Sequence, residues 1–288
     1  MIRLSTRHKI AIARGLNRTV RLGRRLLGKR MQGQFRRNGL NWALDLDEGI
    51  DFAIYLLGAF EWDLIRAYRR AIRPGATVLD IGANIGAHTL PLADHVGPNG
   101  HVIAIEATAY AVGKLQANLA LNPALAARAH VLHCLLTETD DATAETAIAS
   151  SWPLRTAPDA ADPLCGAAKS VGAARHASLD TVLRDLPARR VDWIKLDVDG
   201  HELSVLRGAQ ALLARDHPGI FMELAPYCYS DTPTGFADLV ALLAGLGYRF
   251  HRLPSLAPLP TDAATLKREI IPHNGSINIL ATYSPTLG

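Results

Sequence analysis

Short apolar runs alternate with helical patterns along most of the chain from Thr77 onward. Runs rich in Val, Ile and Leu predict strands at TVLDI (77–81), HVIAIEA (101–107), HVLHCLL (130–136), VDWIKLDV (191–198), GIFMEL (219–224), YRFHRL (248–253) and INILATY (277–283). Apolar residues at helical spacing predict helices at 86–95, at 109–121, after Ser178, over the stretch that contains Leu203, Leu206 and Leu213, and at 234–246. This alternation predicts an α/β fold, a Rossmann-like, doubly wound and mostly parallel sheet with helices on both faces.

Two stretches depart from this alternation. In residues 1–37, apolar side chains recur near helical spacing between arginines, which predicts a basic amphipathic helix. Residues 138–177 are rich in Ala, Pro and Asp and show no period, so we expect an irregular insertion there. We therefore divide the chain into a basic, helical N-terminal extension, 1–38, and one domain, 39–288.

Charge is distributed unevenly between these two parts. The chain of 288 residues carries a net charge of +4, and 49% of its residues are hydrophobic, enough for a large core. Residues 1–37 hold 12 of the 31 basic residues and no acid, which leaves 19 basic against 27 acidic residues in the rest. The extension therefore suits an anionic membrane surface, an anionic glycan or a nucleic acid. A solvated leader and an organelle transit peptide remain open as alternatives. The acidic domain and the low aromatic content of 6% disfavour nucleic acid as a partner.

Neither a membrane span nor a secretory signal is recognisable in the sequence. We expect a cytoplasmic protein, with peripheral contact at the inner membrane surface as an option for the extension. Cys134, Cys165 and Cys228 are odd in number and widely spaced, so we interpret them as reduced thiols rather than as disulfides or zinc ligands.

A glycine-containing loop follows the first predicted strand of the sheet. Its pattern is D-x-G-x-N-x-G, formed by Asp80, Gly82, Asn84 and Gly86. Ligands of doubly wound sheets bind beyond the carboxyl ends of the strands, and glycines let a ligand approach the main chain. A dinucleotide fold would show G-x-G-x-x-G, whose third glycine is missing here. An acid at position 80 would repel a pyrophosphate but suits an ammonium or a sulfonium group.

The second strand ends in another acid, Glu106, twenty residues after Gly86. A carboxylate at this place can accept hydrogen bonds from both hydroxyls of a ribose. Taken singly, Asp80 could cap a turn and Glu106 could be a solvated strand-end acid. Together they indicate an adenosyl ligand with a cationic tail, S-adenosylmethionine.

From about Leu40 to Tyr283 the sequence resembles the FkbM-type methyltransferase family. The resemblance lies in LDLDEGIDFAIYLLGAFE, VLDIGANIGAHTLPLADHVGPNGHVIAIEA, LQANLALN, SLDTVL, DWIKLDVDGHELSVLRGA and PGIFMEL, which follow one another in the family's order. It implies a class I methyltransferase fold of seven strands, with INILATY as the antiparallel seventh. It also implies methyl transfer from S-adenosylmethionine to a hydroxyl oxygen of a sugar, glycolipid or secondary metabolite, and places Glu61, Phe60 and Asn84 near the cofactor. Residues 138–177 have no counterpart in the family pattern, which leaves the acceptor pocket undefined.

The strand WIKLDVDGHE ends at the same predicted edge as Asp80 and Glu106. Methyl transfer needs an aligned acceptor and a base for its proton, and we predict Asp197, His201 and Lys195 as the catalytic residues. Lys195 could instead form a structural pair with Glu223, and His201 could be structural.

Two further features of this stretch remain open. Asp199 and Glu202 also fit the D-x-x-E pattern of a helix cap. A magnesium ion on Asp197, Asp199 and Glu223 is conceivable, but the spacing does not establish it and we predict no metal site.

Two other functions compete with methyl transfer. One is an NAD(P)-dependent Rossmann oxidoreductase, disfavoured by the missing glycine. The other is a module that senses the cofactor while the extension binds RNA or membrane. The sequence names neither the acceptor nor the oligomeric state.

Overall fold

The structure is a computed structural model that describes residues 6–140, 147–155, 167–187, 189–229, 235–270 and 275–284. Its centre is a sheet of nine strands within these residues. The strands, in spatial order, are β12 (Ala257–Leu259), β11 (Tyr248–Arg252), β13 (Ile277–Tyr283), β10 (Gly219–Leu224), β9 (Trp193–Leu196), β3 (Thr77–Ile81), β4 (His101–Glu106), β5 (Ala129–Leu136) and β8 (Arg175–Ala177).

The sheet contains the seven predicted strands and two more. The strands from β10 to β8 are parallel, whereas β13 runs antiparallel between β10 and β11. INILATY is therefore the reversed strand, as expected. The predicted number of seven is too low because two three-residue strands, β8 and β12, pair with the edges of the sheet. Strands of three residues carry too little pattern to be found from sequence.

Helices cover both faces of this sheet and bury two separate hydrophobic cores. The helices are α1 (Thr6–Leu26), α2 (Gly49–Leu57), α3 (Trp62–Ala71), α4 (Thr89–Val96), α5 (Ala109–Ala120), α6 (Pro123–Ala126), α7 (Leu179–Arg184), α8 (Glu202–Arg207), α9 (Gln210–Asp216), α10 (Gly235–Gly245) and α11 (Ala263–Ile270). Leu79 and Ile81 of β3 face one core, and Val78 faces the other. Such alternation along a strand buried on both faces is the physical basis of the doubly wound arrangement.

The structural boundary between the extension and the domain lies earlier in the chain than the predicted boundary at residue 38. Helix α1 ends at Leu26, and a hairpin of β1 (Gln32–Arg37) and β2 (Leu40–Asp45) follows it. The predicted boundary falls in the turn of this hairpin. Trp42 and Leu44 of β2 are buried in the domain core, so the hairpin belongs to the domain.

The insertion at 138–177 is more regular than expected where the structure describes it. Strands β6 (Ala147–Ser151) and β7 (Ala167–Ser170) form an antiparallel pair, and β8 joins the main sheet beside β5. Residues that follow β6 contact the start of α2, because Trp152 O accepts from Gly49 N and Leu154 N donates to Asp47 O. The β6–β7 pair is thereby bound to the segment 47–49.

The helix predicted around Leu203, Leu206 and Leu213 is two helices, α8 and α9, separated at Gly208. A Cβ atom at Gly208 would lie 2.4 Å from the carbonyl oxygen of Thr137, so the chain turns where another segment crosses it. Among the described residues, no helix combines the length and apolar character that a membrane crossing requires.

Candidate active site

The loop after β3 is shaped by contacts within the protein. Gly82 has φ +73°, and a Cβ atom there would lie 1.9 Å from the carbonyl oxygen of Asp197. Gly86 has φ +90°, and its Cβ would lie 2.6 Å from Leu115 Cδ1 of α5. The sequence interpretation assigned both glycines to backbone angles closed to other residues and to the close approach of a ligand. The positive φ values confirm the first reason, the contacts with Asp197 and Leu115 add another, and the approach of a ligand stays a prediction.

Asn84 and Glu106 are joined directly at the ends of β3 and β4. Asn84 adopts a left-handed conformation, φ +47°, and its backbone N–H donates to Glu106 Oε2 at 2.9 Å. Glu106 Oε1 accepts from the N–H and the hydroxyl of Thr108, at 2.9 and 2.8 Å. Glu106 is thus a buried, ordered carboxylate and not a solvated strand-end acid. Since a carboxylate has about four acceptor sites, it retains capacity for a ligand hydroxyl.

The insertion reaches the same strand ends through Ser150 of β6. The Ser150 and Thr108 hydroxyls lie 2.8 Å apart, and the Asn84 side-chain amide donates to Ser150 O at 3.2 Å. Ser150 is buried. The sequence predicted that the insertion lies on the acceptor side of the site. In the structure, Ser150 of the insertion contacts Asn84 and Thr108, which border the predicted ribose site.

Asp80 and Lys195 form a buried pair between β3 and β9. Asp80 is fully buried, its Oδ2 accepts from Thr89 Oγ1 at 2.6 Å, and its Oδ1 lies 3.4 Å from Lys195 Nζ. Lys195 Nζ also donates to Gly82 O at 2.8 Å. Burial alone would lower the pKa of Lys195, but the charges of Asp80 and Asp197 outweigh it and raise the pKa.

One expectation changes with this geometry. The partner of Lys195 is Asp80 and not Glu223. The Lys195 ammonium contacts Asp80 and the glycine loop, and its predicted catalytic role stays a prediction. Asp80 Oδ1 faces the Lys195 ammonium and is fully buried, so its predicted contact with a ligand ammonium stays a prediction.

Acidic side chains gather where β9 and β10 end. Asp197 is 33% exposed and lies 3.7 Å from Lys195, and burial raises its pKa. Burial and the charges of Asp197 and Glu223 hold the pKa of Asp199 well above its usual value. Burial, with the charge of Asp197, raises the pKa of Glu223 to about 8. These carboxyl groups therefore repel one another, and the charges of Lys195 and His88 offset part of this repulsion at Asp197.

Two neighbouring residues of the same turn have structural positions. Glu202 Oε1 and Oε2 accept from Gly200 N at 3.3 and 3.1 Å, and Oε1 also accepts from Val198 N. Glu202 thus bonds N–H groups of the turn that precedes α8, and the D-x-x-E helix cap does not form. His201 occupies the N-cap position of α8 without a side-chain cap bond. Its proposed role as a base stays a prediction.

A second polar network, which includes a histidine that sequence reasoning missed, surrounds Glu61. Glu61 lies just before α3 with φ +51°, and its Oε1 accepts from Asn278 Nδ2 at 3.2 Å. His88 is buried, with Nε2 3.3 Å from Glu61 Oε2 and Nδ1 3.4 Å from Tyr68 Oη. Burial alone would raise the pKa of Glu61, but His88 and Asn278 outweigh it and lower the pKa.

This network fixes the position of Glu61, whose negative charge helps to raise the pKa of Asp197. The only sequence signal for His88 was a polar residue at the otherwise apolar start of α4. Its partners, Tyr68 and Glu61, come from a distant segment and could not be inferred from spacing.

Within the part of the chain that the structure describes, no group of three or more His, Cys, Asp or Glu side chains has metal-binding geometry. Cys134 and Cys228 are free thiols there, and burial raises the pKa of Cys134 to about 11. Cys165 lies outside the described residues.

The residues at this edge fit S-adenosylmethionine. Asp80, paired with Lys195, holds the glycine loop at the end of β3. Glu106, ordered by Asn84 and Thr108, keeps about one acceptor site for a ribose hydroxyl.

Several known proteins resemble this chain in sequence or in structure. The sequence model of the FkbM methyltransferase domain matches residues 80–250. An arsenite methyltransferase of Halobacterium salinarum is 43% identical over 54 residues, and this match covers 19% of the chain and 14% of that protein. The FkbM methyltransferase structure from Methylobacillus flagellatus is 18% identical with a TM-score of 0.46, over 78% of this chain and 48% of that one. A SAM-dependent methyltransferase from Aquifex aeolicus is 15% identical with a TM-score of 0.42, over 83% of this chain and 95% of that one.

The strand order with its reversed β13, and an acid at the end of each of the first two central strands, define a class I methyltransferase fold with S-adenosylmethionine as its cofactor. More narrowly, the chain belongs to the FkbM methyltransferase family, whose domain spans more than half of it.

Proposed function

We propose that this chain transfers a methyl group from S-adenosylmethionine to a hydroxyl oxygen of a sugar, a glycolipid or a hydroxylated secondary metabolite. The observation that carries the proposal is the set of carboxylates at the ends of β9 and β10, beside the predicted cofactor loop. Their raised pKa values favour the protonated form, in which a carboxyl group donates as well as accepts hydrogen bonds, and this suits an acceptor rich in hydroxyl groups.

Asp197 is the residue we assign to proton removal. It lies at the end of β9, a third of its side chain is exposed, and its raised pKa makes it a stronger base than an ordinary aspartate. Lys195 and the backbone of Gly82 hold this strand end against β3. Asp197 would accept the proton of the acceptor hydroxyl as that oxygen becomes nucleophilic.

Bound S-adenosylmethionine would supply an electrophilic methyl group. Glu106 would accept from a ribose hydroxyl, and Asp80, paired with Lys195, would hold the glycine loop in place. The main task of the chain is alignment, because effective molarity from positioning exceeds what a single base provides. Glu61, held by His88 and Asn278, would border the same space.

Calorimetry with S-adenosylmethionine tests the cofactor assignment. We expect binding to the native protein, no binding of NADPH, and affinity at least about tenfold weaker in Glu106→Gln, which loses charge-assisted hydrogen bonds. Glu138→Gln is the matched control, because Glu138 is half exposed and lies on a surface ion pair with Arg207. NADPH binding with no affinity for S-adenosylmethionine would identify an oxidoreductase instead.

Transfer of a labelled methyl group to panels of glycans, glycolipids and hydroxylated metabolites tests the reaction. With an acceptor in hand, Asp197→Asn should lower kcat by about 100-fold, a usual loss for a general base, while affinity for S-adenosylmethionine changes little. A methyl group found on nitrogen or sulfur of the product would contradict the proposed acceptor atom. An unchanged kcat in Asp197→Asn would remove this residue from the mechanism.

A further inference from the structure

Helix α1 has one face docked on the domain. Asn17 is 2% exposed, and its side-chain amide donates to the carbonyl oxygen of Leu46. One turn further along, the guanidinium of Arg21 pairs with Asp47. Ala13 and Val20 pack at the border of the core that contains Leu46. These contacts fix which face of the helix points away from the domain.

The opposite face is apolar. At about 100° per residue, Ile12, Leu16, Leu22 and Leu26 fall within a sector of about 120° centred nearly opposite Asn17. These four side chains are exposed by 51%, 48%, 60% and 79%. Between Ile12 and Leu26, the other positions of the sector are the small residues Gly15, Thr19 and Gly23. The sector is therefore a continuous stripe of apolar and small side chains along the helix, which we call the outer stripe.

Only positive charge borders the outer stripe within the extension. Arg18 and Arg25 are exposed and lie along one edge of it. Lys29 and Arg30 follow the last turn of the helix and are exposed as well. Residues 1–37 contain no Asp or Glu. The outer stripe and its border thus combine exposed apolar side chains with positive charges, which attract an anionic partner.

The folding of the domain does not account for these leucines. The four side chains of the outer stripe remain mostly exposed, while the helix is held by Asn17, Arg21 and their partners on the other face. A polyanion such as RNA or an acidic glycan would use the arginines but would leave the leucines in water. A lipid surface takes both, with apolar side chains among the acyl chains and arginines at the head groups.

We propose that the outer stripe of α1 docks this protein on an anionic lipid bilayer, with the helix lying in the plane of the interface. This proposal goes beyond methyl transfer and does not depend on it. Docking through the outer face requires no unfolding of α1, because its contacts with Leu46 and Asp47 lie on the other side.

Co-sedimentation of the full chain with vesicles tests the proposal. We expect binding to vesicles in which about a third of the lipid is phosphatidylglycerol, and at least about tenfold weaker binding to pure phosphatidylcholine. Leu22→Glu with Leu26→Glu should weaken binding to the anionic vesicles by at least about tenfold, because the bilayer can no longer bury these two leucine side chains. Arg18→Gln with Arg25→Gln should abolish most of the preference for anionic lipid and leave the binding to neutral vesicles unchanged.

Leu256→Asp is the matched control. Leu256 is 47% exposed at a distant turn and has φ +58°, a conformation that Asp tolerates better than Leu. This variant should bind like the native protein, and circular dichroism should show native helix content in every variant.

Three results would overturn the proposal. Equal binding to neutral and anionic vesicles would show that the arginines do not contribute to docking. Native binding by the Leu22 and Leu26 double variant would indicate a purely electrostatic surface, as for a polyanion. A dimer in sedimentation equilibrium that the double variant dissociates, together with no vesicle binding, would show that a second copy of the chain covers the outer stripe.

Discussion

Glu223 is a carboxyl group whose surroundings penalise its charge. It lies on β10 between Met222 and Leu224, and its Oε1 accepts from the hydroxyl of Ser276. Burial, with the negative charge of Asp197, raises its pKa from 4.5 to about 8. The folded chain therefore disfavours the ionised form of Glu223, and this cost lowers the free energy of unfolding unless a cation or a hydroxylated ligand compensates.

Stability should accordingly fall as the pH rises between about 4.5 and about 8. Below this window the carboxyl is protonated in both the folded and the unfolded chain; within it, the unfolded chain releases its proton first. Glu223→Gln, which keeps an acceptor for Ser276, should match the native protein at about pH 4 and exceed its free energy of unfolding by about 4 kcal/mol at pH 8. Urea unfolding at several pH values measures this difference, and an advantage that is constant with pH would contradict it. Glu269→Gln, on an exposed pair with Arg252, should show no such trend.

At the scale of residues, the sequence located the site but not its internal partners. Asp80 and Glu106 were recognisable because each ends a strand at the same edge of a parallel sheet. The pair of Asp80 with Lys195 depends on the register of β3 against β9, which places these two residues directly beside each other. Register follows from three-dimensional packing and cannot be obtained from spacing along the chain.

The first turn of α9 is capped by a side chain that belongs to another helix. Asp180, on α7, accepts from Ala211 N and Leu212 N through its two carboxylate oxygens at 2.8 and 2.9 Å. It thereby satisfies free N–H groups in the first turn of α9, which has no cap of its own. The apolar period of Leu203, Leu206 and Leu213 continues across the break, so the pattern alone predicted one helix.

Replacement of Asp180 should therefore destabilise an element to which it does not belong. We expect Asp180→Ala to lower the free energy of unfolding by about 1–2 kcal/mol, the usual cost of a lost helix cap. Asp185→Ala is the control, since Asp185 pairs with Arg175 on the surface and exposed pairs contribute little. Urea unfolding compares the two variants. Equal losses would show that the contact with α9 adds nothing.

The longer elements were predictable and the insertion was not, for one physical reason. Strands such as β3 and β4 are almost completely buried, so their composition is restricted to apolar residues. Strands β6 and β7 form a separate pair whose sequences, AIASS and AAKS, have no such restriction. Their position over Asn84 and Thr108 depends on a few hydrogen bonds of Ser150, which no pattern encodes.

For the molecule as a whole, the charge asymmetry and the structural boundary do not coincide. The basic residues continue to Arg37, but the hairpin that carries Arg36 and Arg37 is part of the domain. Phe35 of β1 contacts Tyr55 with ring centroids 5.0 Å apart, and Arg37 donates to Tyr55 O at 2.7 Å. The extension that can be separated from the domain is therefore α1 and the short link after it.

Two truncations should behave differently for this reason. A chain lacking residues 1–30 should keep its affinity for S-adenosylmethionine within about twofold and lose vesicle binding, because it lacks α1 but keeps the hairpin. A chain lacking residues 1–37 should in addition lose about 2 kcal/mol of stability, since β2 becomes an unpaired edge and Phe35 no longer covers Tyr55. Calorimetry and thermal unfolding of both chains measure these effects. If the longer truncation is as stable as the shorter one, the hairpin is not part of the folding unit and the boundary at residue 38 is restored.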